Sequence, residues 1–110
     1  MTLPEQVLPG QILPVDVDEV PPVELGPGVR VRTLPGMPGI RPWVIDLDPG
    51  AVWPHLDVHE AYGEAYLVMS GEVIEGDRVH GPGTYVVFGP KTSHRPRTET
   101  GARAFGFNKI

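Results

Sequence analysis

No cysteine occurs among the 110 residues, which excludes disulfides, Cys-zinc sites, iron–sulfur clusters and thiol catalysis. No run reaches the about 18 apolar residues that a membrane-spanning helix needs. Basic residues are the minority, 9 against 14 acidic for a net charge of −5, so neither nucleic acid nor an anionic membrane is an expected partner. The start, Met1–Gln6, lacks the basic residues and apolar core of a secretory signal, and the expected compartment is cytoplasmic. Helix is scarce for a countable reason. Gly and Pro supply 14 residues each, and in a helix interior they are unfavourable by about 1 and about 3 kcal/mol. With 40% hydrophobic and 21% charged residues the composition is nevertheless globular, and the length suits one domain.

Nine of the 14 prolines fall within the first 42 residues. Residues 1–28 read as an extended arm spaced by Pro4, Pro9, Pro14, Pro21, Pro22 and Pro27. Proline has no amide to donate, so such an arm edges a sheet or runs over a surface. Its apolar residues, from Leu3 to Val20, suggest that it packs on the domain or on a second subunit. Residues 29–110 show short alternating runs between turns. Expected strands are Val29–Thr33, Trp43–Asp48, Val52–His59, Glu64–Ser70, a Glu72–Ile74/Arg78–His80 hairpin, Thr84–Phe88, His94–Thr98 and Ala102–Asn108. About eight short strands and no helical period favour a small barrel or jelly roll, whose mouth holds one small ligand.

Three of the four histidines lie in two clusters. The run Trp53-Pro54-His55-Leu56-Asp57-Val58-His59 precedes Glu64. On a strand, His55, Asp57 and His59 project one way, with Leu56 and Val58 on the other face. Glu64 opens the next strand after Gly63, and His94 follows Gly89-Pro90-Lys91-Thr92-Ser93. Imidazoles and carboxylates converging from neighbouring strands make a good shell for a divalent metal. A wet strand face carries alternating polar residues too, and His80, beside Gly81-Pro82-Gly83, reads as such a surface residue.

These residues resemble the cupin superfamily of double-stranded β-helix barrels. Gly50 leads into Asp57-Val58-His59, then four residues, Glu64, six residues and Gly71, similar to the first cupin motif. Gly83-Thr84-Tyr85-Val86-Val87-Phe88-Gly89-Pro90-Lys91-Thr92-Ser93-His94 is similar to the second, with one extra residue before Pro90. Gly83–Val86 and Ser93–Pro96 resemble the cupin domain of ChrR-type anti-sigma factors in particular. Two departures matter. Asp57 stands where the motif has its first His, and Thr98 stands in place of its closing Asn.

His55 and His59 would lie about 13 Å apart at ~3.3 Å rise per residue, too far to share an ion without a bulge. The expected ligand set is therefore Asp57, His59, Glu64 and His94, with His55 as pocket lining or an alternate ligand. Two imidazoles and two carboxylates suit Fe(II) or Mn(II), with Ni(II) or Zn(II) also accommodated. A lost metal shell is the other consequence open to the Asp57 departure. Facing residues expected in the cavity are Tyr66, Val68 and Ser70, Trp53 and His55, and either Phe105 and Phe107 or their neighbours. Such a wall implies a small, partly apolar organic ligand. Arg95 and Arg97, opposite in parity to His94, belong on an outer face.

The resemblance admits metal-dependent dioxygenase, isomerase, epimerase and lyase chemistries. The open positions that the expected ligands leave on an iron-type metal put a non-haem dioxygenase first, with His55 or Tyr66 as acid or base. A cupin isomerase or lyase is one alternative, and a non-catalytic binding or sensor domain is the other. The family resemblance also implies a homodimer.

Overall fold

The computed structural model describes residues 3–110. Its strands are β1 (Val23–Gly26), β2 (Val29–Thr33), β3 (Ile40–Leu47), β4 (Asp57–His59), β5 (Glu64–Gly71), β6 (Val73–Glu75), β7 (Arg78–His80), β8 (Tyr85–Phe88), β9 (Thr92–His94) and β10 (Ala102–Lys109). Six form one sheet in the order β1-β2-β3-β10-β5-β8, while β4 pairs with β9 and β6 with β7. All these pairings are antiparallel. Arg97 bridges Val52 on one side and Ile74 on the other, which joins the two small pairs into one opposing sheet. The architecture is all-β, as the alternating runs require. No helix among the described residues is long and apolar enough to cross a membrane.

Side-chain parity separates the two faces of the larger sheet. Val29 and Val31 of β2 turn inward, while Arg30 and Arg32 turn out to Asp48 and Asp46. Asp46 also receives Arg103 Nε at 2.7 Å, and Arg103 Nη2 reaches Asp18 at 2.7 Å. Asp18 lies in a 3-10 turn, Val17–Glu19, so this outer ion-pair cluster ties the turn to β2, β3 and β10. Between the sheets Trp43, Tyr66, Val68, Val73, Phe88 and Ala104 make one core cluster, and Val29, Leu47 and Ala51 make another. Each large side chain buried there contributes about 1.5–3 kcal/mol. Gly106 is required at its position: a Cβ would run into the Trp43 ring and approach the Ala65 carbonyl to 2.5 Å.

Val23–Gly26, within the proline-spaced 1–28 segment, forms β1 at the sheet edge, and Val7, Leu13 and Val15 line a groove with Phe105 and Phe107 on the outer face. Other expectations are resolved or corrected. Phe105 and Phe107 thus face outward, and their neighbours Ala102, Ala104 and Asn108 line the interior cavity. Ser70 is exposed rather than inward, because the β5–β10 register slips between Ser70 and Val68 and one extra residue reverses parity. The expected strand over Val52–His59 survives only as Asp57–His59, with Val52 in an isolated bridge. The expected strand over His94–Thr98 instead closes at His94, with Pro96 two residues on.

Candidate metal centre

Both sheets contribute to one polar cluster in an otherwise apolar interior. β4 and β9 pair Asp57 with His94 and His59 with Thr92, which sets both imidazoles and the Asp57 carboxylate on the inner face. Glu64 opens β5 from the opposing sheet, in register with Phe88 of β8. The Phe88 ring lies 4.1 Å from that of His94 and 4.9 Å from that of His59, holding both imidazoles from behind.

One donor atom each from Asp57, His59, Glu64 and His94 lies within 4.8 Å of the others. His59 Nε2 stands 3.5 Å from Asp57 Oδ2 and 3.4 Å from Glu64 Oε2. His94 Nε2 stands 3.1 Å and 3.2 Å from the same two oxygens. Donors bound to one divalent ion at about 2.0–2.2 Å are separated by roughly 3 Å when adjacent and 4 Å when opposite, so this set fits an ion. The buried His59 Nε2 has no hydrogen-bond partner, and such an atom calls for a ligand.

Outer partners fix the donors. Glu75, at the end of β6, accepts from His94 Nδ1 at 2.9 Å and from the Tyr66 hydroxyl at 2.8 Å. With Nδ1 so engaged, Nε2 is the nitrogen left for the cluster. Trp43 Nε1 donates to Asn108 Oδ1 at 2.8 Å, and Asn108 Nδ2 donates to Glu64 Oε1 at 3.1 Å. The indole donor thereby settles the amide orientation and leaves Glu64 Oε2 for the cluster.

Electrostatics match a cation site. Burial alone would lower the His94 pKa, but hydrogen bonds to Glu64 and Glu75 push it up to about 10. The Nε2 proton then sits where an ion would. Burial would raise Glu64, but bonds from His94 and Asn108 and the nearby His59 hold it below its ordinary value. Burial, then the Glu75 carboxylate, raises the Tyr66 phenol, which keeps it protonated.

The four expected ligands are brought together, and Tyr66 lies beside them in the same cavity. His55 is not among them. It is exposed, with its ring 6.3 Å from Trp53 and edge-on, because β4 starts at Asp57 and strand alternation does not extend back to it. Arg95 donates to the Trp53 carbonyl and Arg97 lies 3.8 Å from Glu99. Thr98, in the missing Asn's place, is buried and accepts from the Gly101 amide at 3.0 Å. Two site residues escaped the sequence reasoning: Glu75, which reads as part of a turn with Gly76, and Asn108. Alternation with Val73, and with Ala102 and Ala104, is the signal that would have placed them inside. From the cluster a cavity of about 240 Å³ extends between the sheets, walled by Val31, Trp43, Ile45, Trp53 and Ala104.

By sequence, the chain matches no protein-family model and no curated protein. Among solved structures it is similar to KdgF from Halomonas sp., with 20% identity over 84% of this chain and 89% of that one, at a TM-score of 0.70. A predicted oxalate decarboxylase from Thermotoga maritima shares 17% identity over 89% and 99%, with a TM-score of 0.75. The Rhodobacter sphaeroides SigE–ChrR complex gives 21% identity over 86% of this chain and 51% of that one, also at 0.75. The chain therefore has the fold of a small cupin domain, as the two motifs led one to expect.

Proposed function

We propose that this chain is a metal-dependent enzyme acting on a small organic molecule, and that its reaction is of the non-haem dioxygenase type. The unpartnered, buried His59 Nε2, facing three further donors at the inner end of an apolar cavity, carries the proposal. Asp57, His59, Glu64 and His94 would hold the ion, Fe(II) or Mn(II) first by their oxygen content. When bound, it supplies Lewis acidity toward a substrate oxygen and, as iron, reactivity with O₂.

The chain's own residues do the rest. Trp43, Ile45 and Trp53 exclude water from the cavity and bind the apolar part of the substrate. Glu75 orients His94, and Asn108 orients Glu64. Tyr66 lines the cavity and keeps its proton, so it is the residue that would donate one there, with Glu75 orienting its hydroxyl. The Tyr66–Glu75 pair also favours a second reading, a non-oxidative isomerase or lyase in which Tyr66 moves a proton on the substrate.

The test is elemental analysis of protein prepared without chelator or nickel resin, followed by O₂ uptake on small enols and diketones. About one equivalent of metal with substrate-dependent uptake is expected, both lost in His59→Ala. No metal after anaerobic Fe(II) loading overturns the proposal. Metal without O₂ uptake, but with solvent deuterium entering a substrate, selects the second reading.

We also propose a homodimer. Leu67, Met69, Tyr85, Val87 and Phe105 are exposed together on the outer face of β10, β5 and β8, an apolar area of the kind that marks an interface. Sedimentation equilibrium checks it, and a monomer that Leu67→Lys leaves unchanged refutes it.

A further inference from the structure

The cavity carries one permanent cation on its wall, and that cation has no carboxylate partner. Arg30, Arg32 and Arg103 on the outer face each hold an aspartate. Arg41 shares the inward parity of Trp43 and Ile45 and lines the cavity. Among the described residues no acidic group stands within ion-pair distance of it.

Its place in the register gives this meaning. Arg41, Asn108 and Glu64 stand side by side on β3, β10 and β5. Strands about 4.8 Å apart put the backbone of Arg41 roughly 10 Å from that of Glu64. Asn108, between them, spends its carbonyl on Trp43 and its amide on Glu64, so it does not answer Arg41. Thr33, on the adjacent β2, lines the same mouth. The cavity thus has a cluster of metal-ligating side chains at one end, a guanidinium at the mouth of the same row, and apolar wall elsewhere.

We propose that Arg41 anchors the carboxylate of a short organic acid whose far oxygen, a carbonyl, enol or hydroxyl, faces the Asp57/His59/Glu64/His94 cluster. This rests on the metal centre proposed above. A planar fork of donors pairs with both oxygens of a carboxylate at once and fixes its orientation as well as its charge. The short span between the two ends selects a chain of few carbons, with the body of the acid against Trp43.

Calorimetric titration tests this with 2-oxobutanoate, acetoacetate and 3-hydroxybutanoate, each against its methyl ester, on wild type, Arg41→Met and Arg41→Lys. Metal content is measured on the same samples. Expected is binding of at least one acid over its ester, weakened about 10- to 100-fold in Arg41→Met and partly restored in Arg41→Lys, at unchanged metal content. Binding of acid and ester alike, equal affinity in Arg41→Met, or no acid bound by metal-loaded wild type overturns the proposal. Failure of the metal centre reads out separately, as wild type without metal. The acid-over-ester preference and its loss in Arg41→Met still decide for or against Arg41 on that metal-free protein.

Discussion

Replacing Glu75 by Gln removes one negative charge while keeping an oxygen within reach of His94 Nδ1, and two opposed effects follow. In the metal-free protein, hydrogen bonds from His94 to Glu64 and Glu75 overcome burial and hold His94 protonated up to about pH 10. An ion entering at about pH 7 must displace that proton, which costs roughly 4 kcal/mol at about 1.4 kcal/mol per pH unit. Glu75→Gln lowers this competition. The same carboxylate, however, faces a divalent ion through the imidazole, and the ion carries twice the charge of the proton. The ion therefore loses more than the proton does. Outer partners of metal-bound histidines are worth about 10- to 100-fold in metal affinity, or ~1.4–2.7 kcal/mol. The Glu75 side chain is only 13% exposed, so solvent screens little of this. The deficit should be smallest near neutral pH and grow as His94 loses its proton. Competition with a chromophoric chelator from about pH 7 to about pH 9 measures it, with the melting temperature of chelator-treated protein as the fold control. Equal affinities at every pH, or a deficit that shrinks as pH rises, would refute the assigned role of Glu75.

Further outcomes follow from the same geometry. His59→Ala should abolish stoichiometric metal by elemental analysis while leaving the metal-free fold intact, since its Nε2 makes no hydrogen bond to lose; retained metal would place the ion elsewhere. Gly106→Ala should destabilise by about 1–3 kcal/mol, the range for overpacking, because the new Cβ meets the Trp43 ring. Thermal melts and Trp fluorescence read this, and an unchanged melt would mean that the ring shifts freely. His94 titrates near 6.5 unfolded and about 10 folded. Its contribution to the metal-free fold is complete below the unfolded value and is lost as pH rises through the folded one. Chelator-treated protein should therefore melt progressively lower between those values, and a flat profile would be incompatible with the His94–Glu64–Glu75 contacts.

Much of the site is legible locally because two spacings survive folding. Asp57 and His59 stay two apart on one short strand, and Glu64 begins its strand directly after a glycine. Their convergence with His94 needs long-range pairing, and the motif spacing supplied it where composition could not. Alternation misled wherever no ladder existed. His55 precedes the first residue of β4, and Ser70 lies beyond a register slip. Glu75 was hidden for the opposite reason, its neighbour Gly76 marking a turn that starts one residue later than the sequence suggests. Asn108 matters only through Trp43 and Glu64, contacts at separations of 65 and 44 residues, which no local pattern contains.

The position of β10 also sets an order of assembly. It is made after every other strand, yet it lies between β3 and β5 in the middle of the larger sheet. A growing chain therefore holds β3 and β5 apart, each with an open edge of unpaired amides and carbonyls, until β10 has left the ribosome. Such edges invite pairing with other chains, and contacts of this sequence separation form slowly. The orienting partner of Glu64 arrives on that same strand, so the centre cannot be set before β10 is in place. Ion capture accordingly follows closure of the sheet.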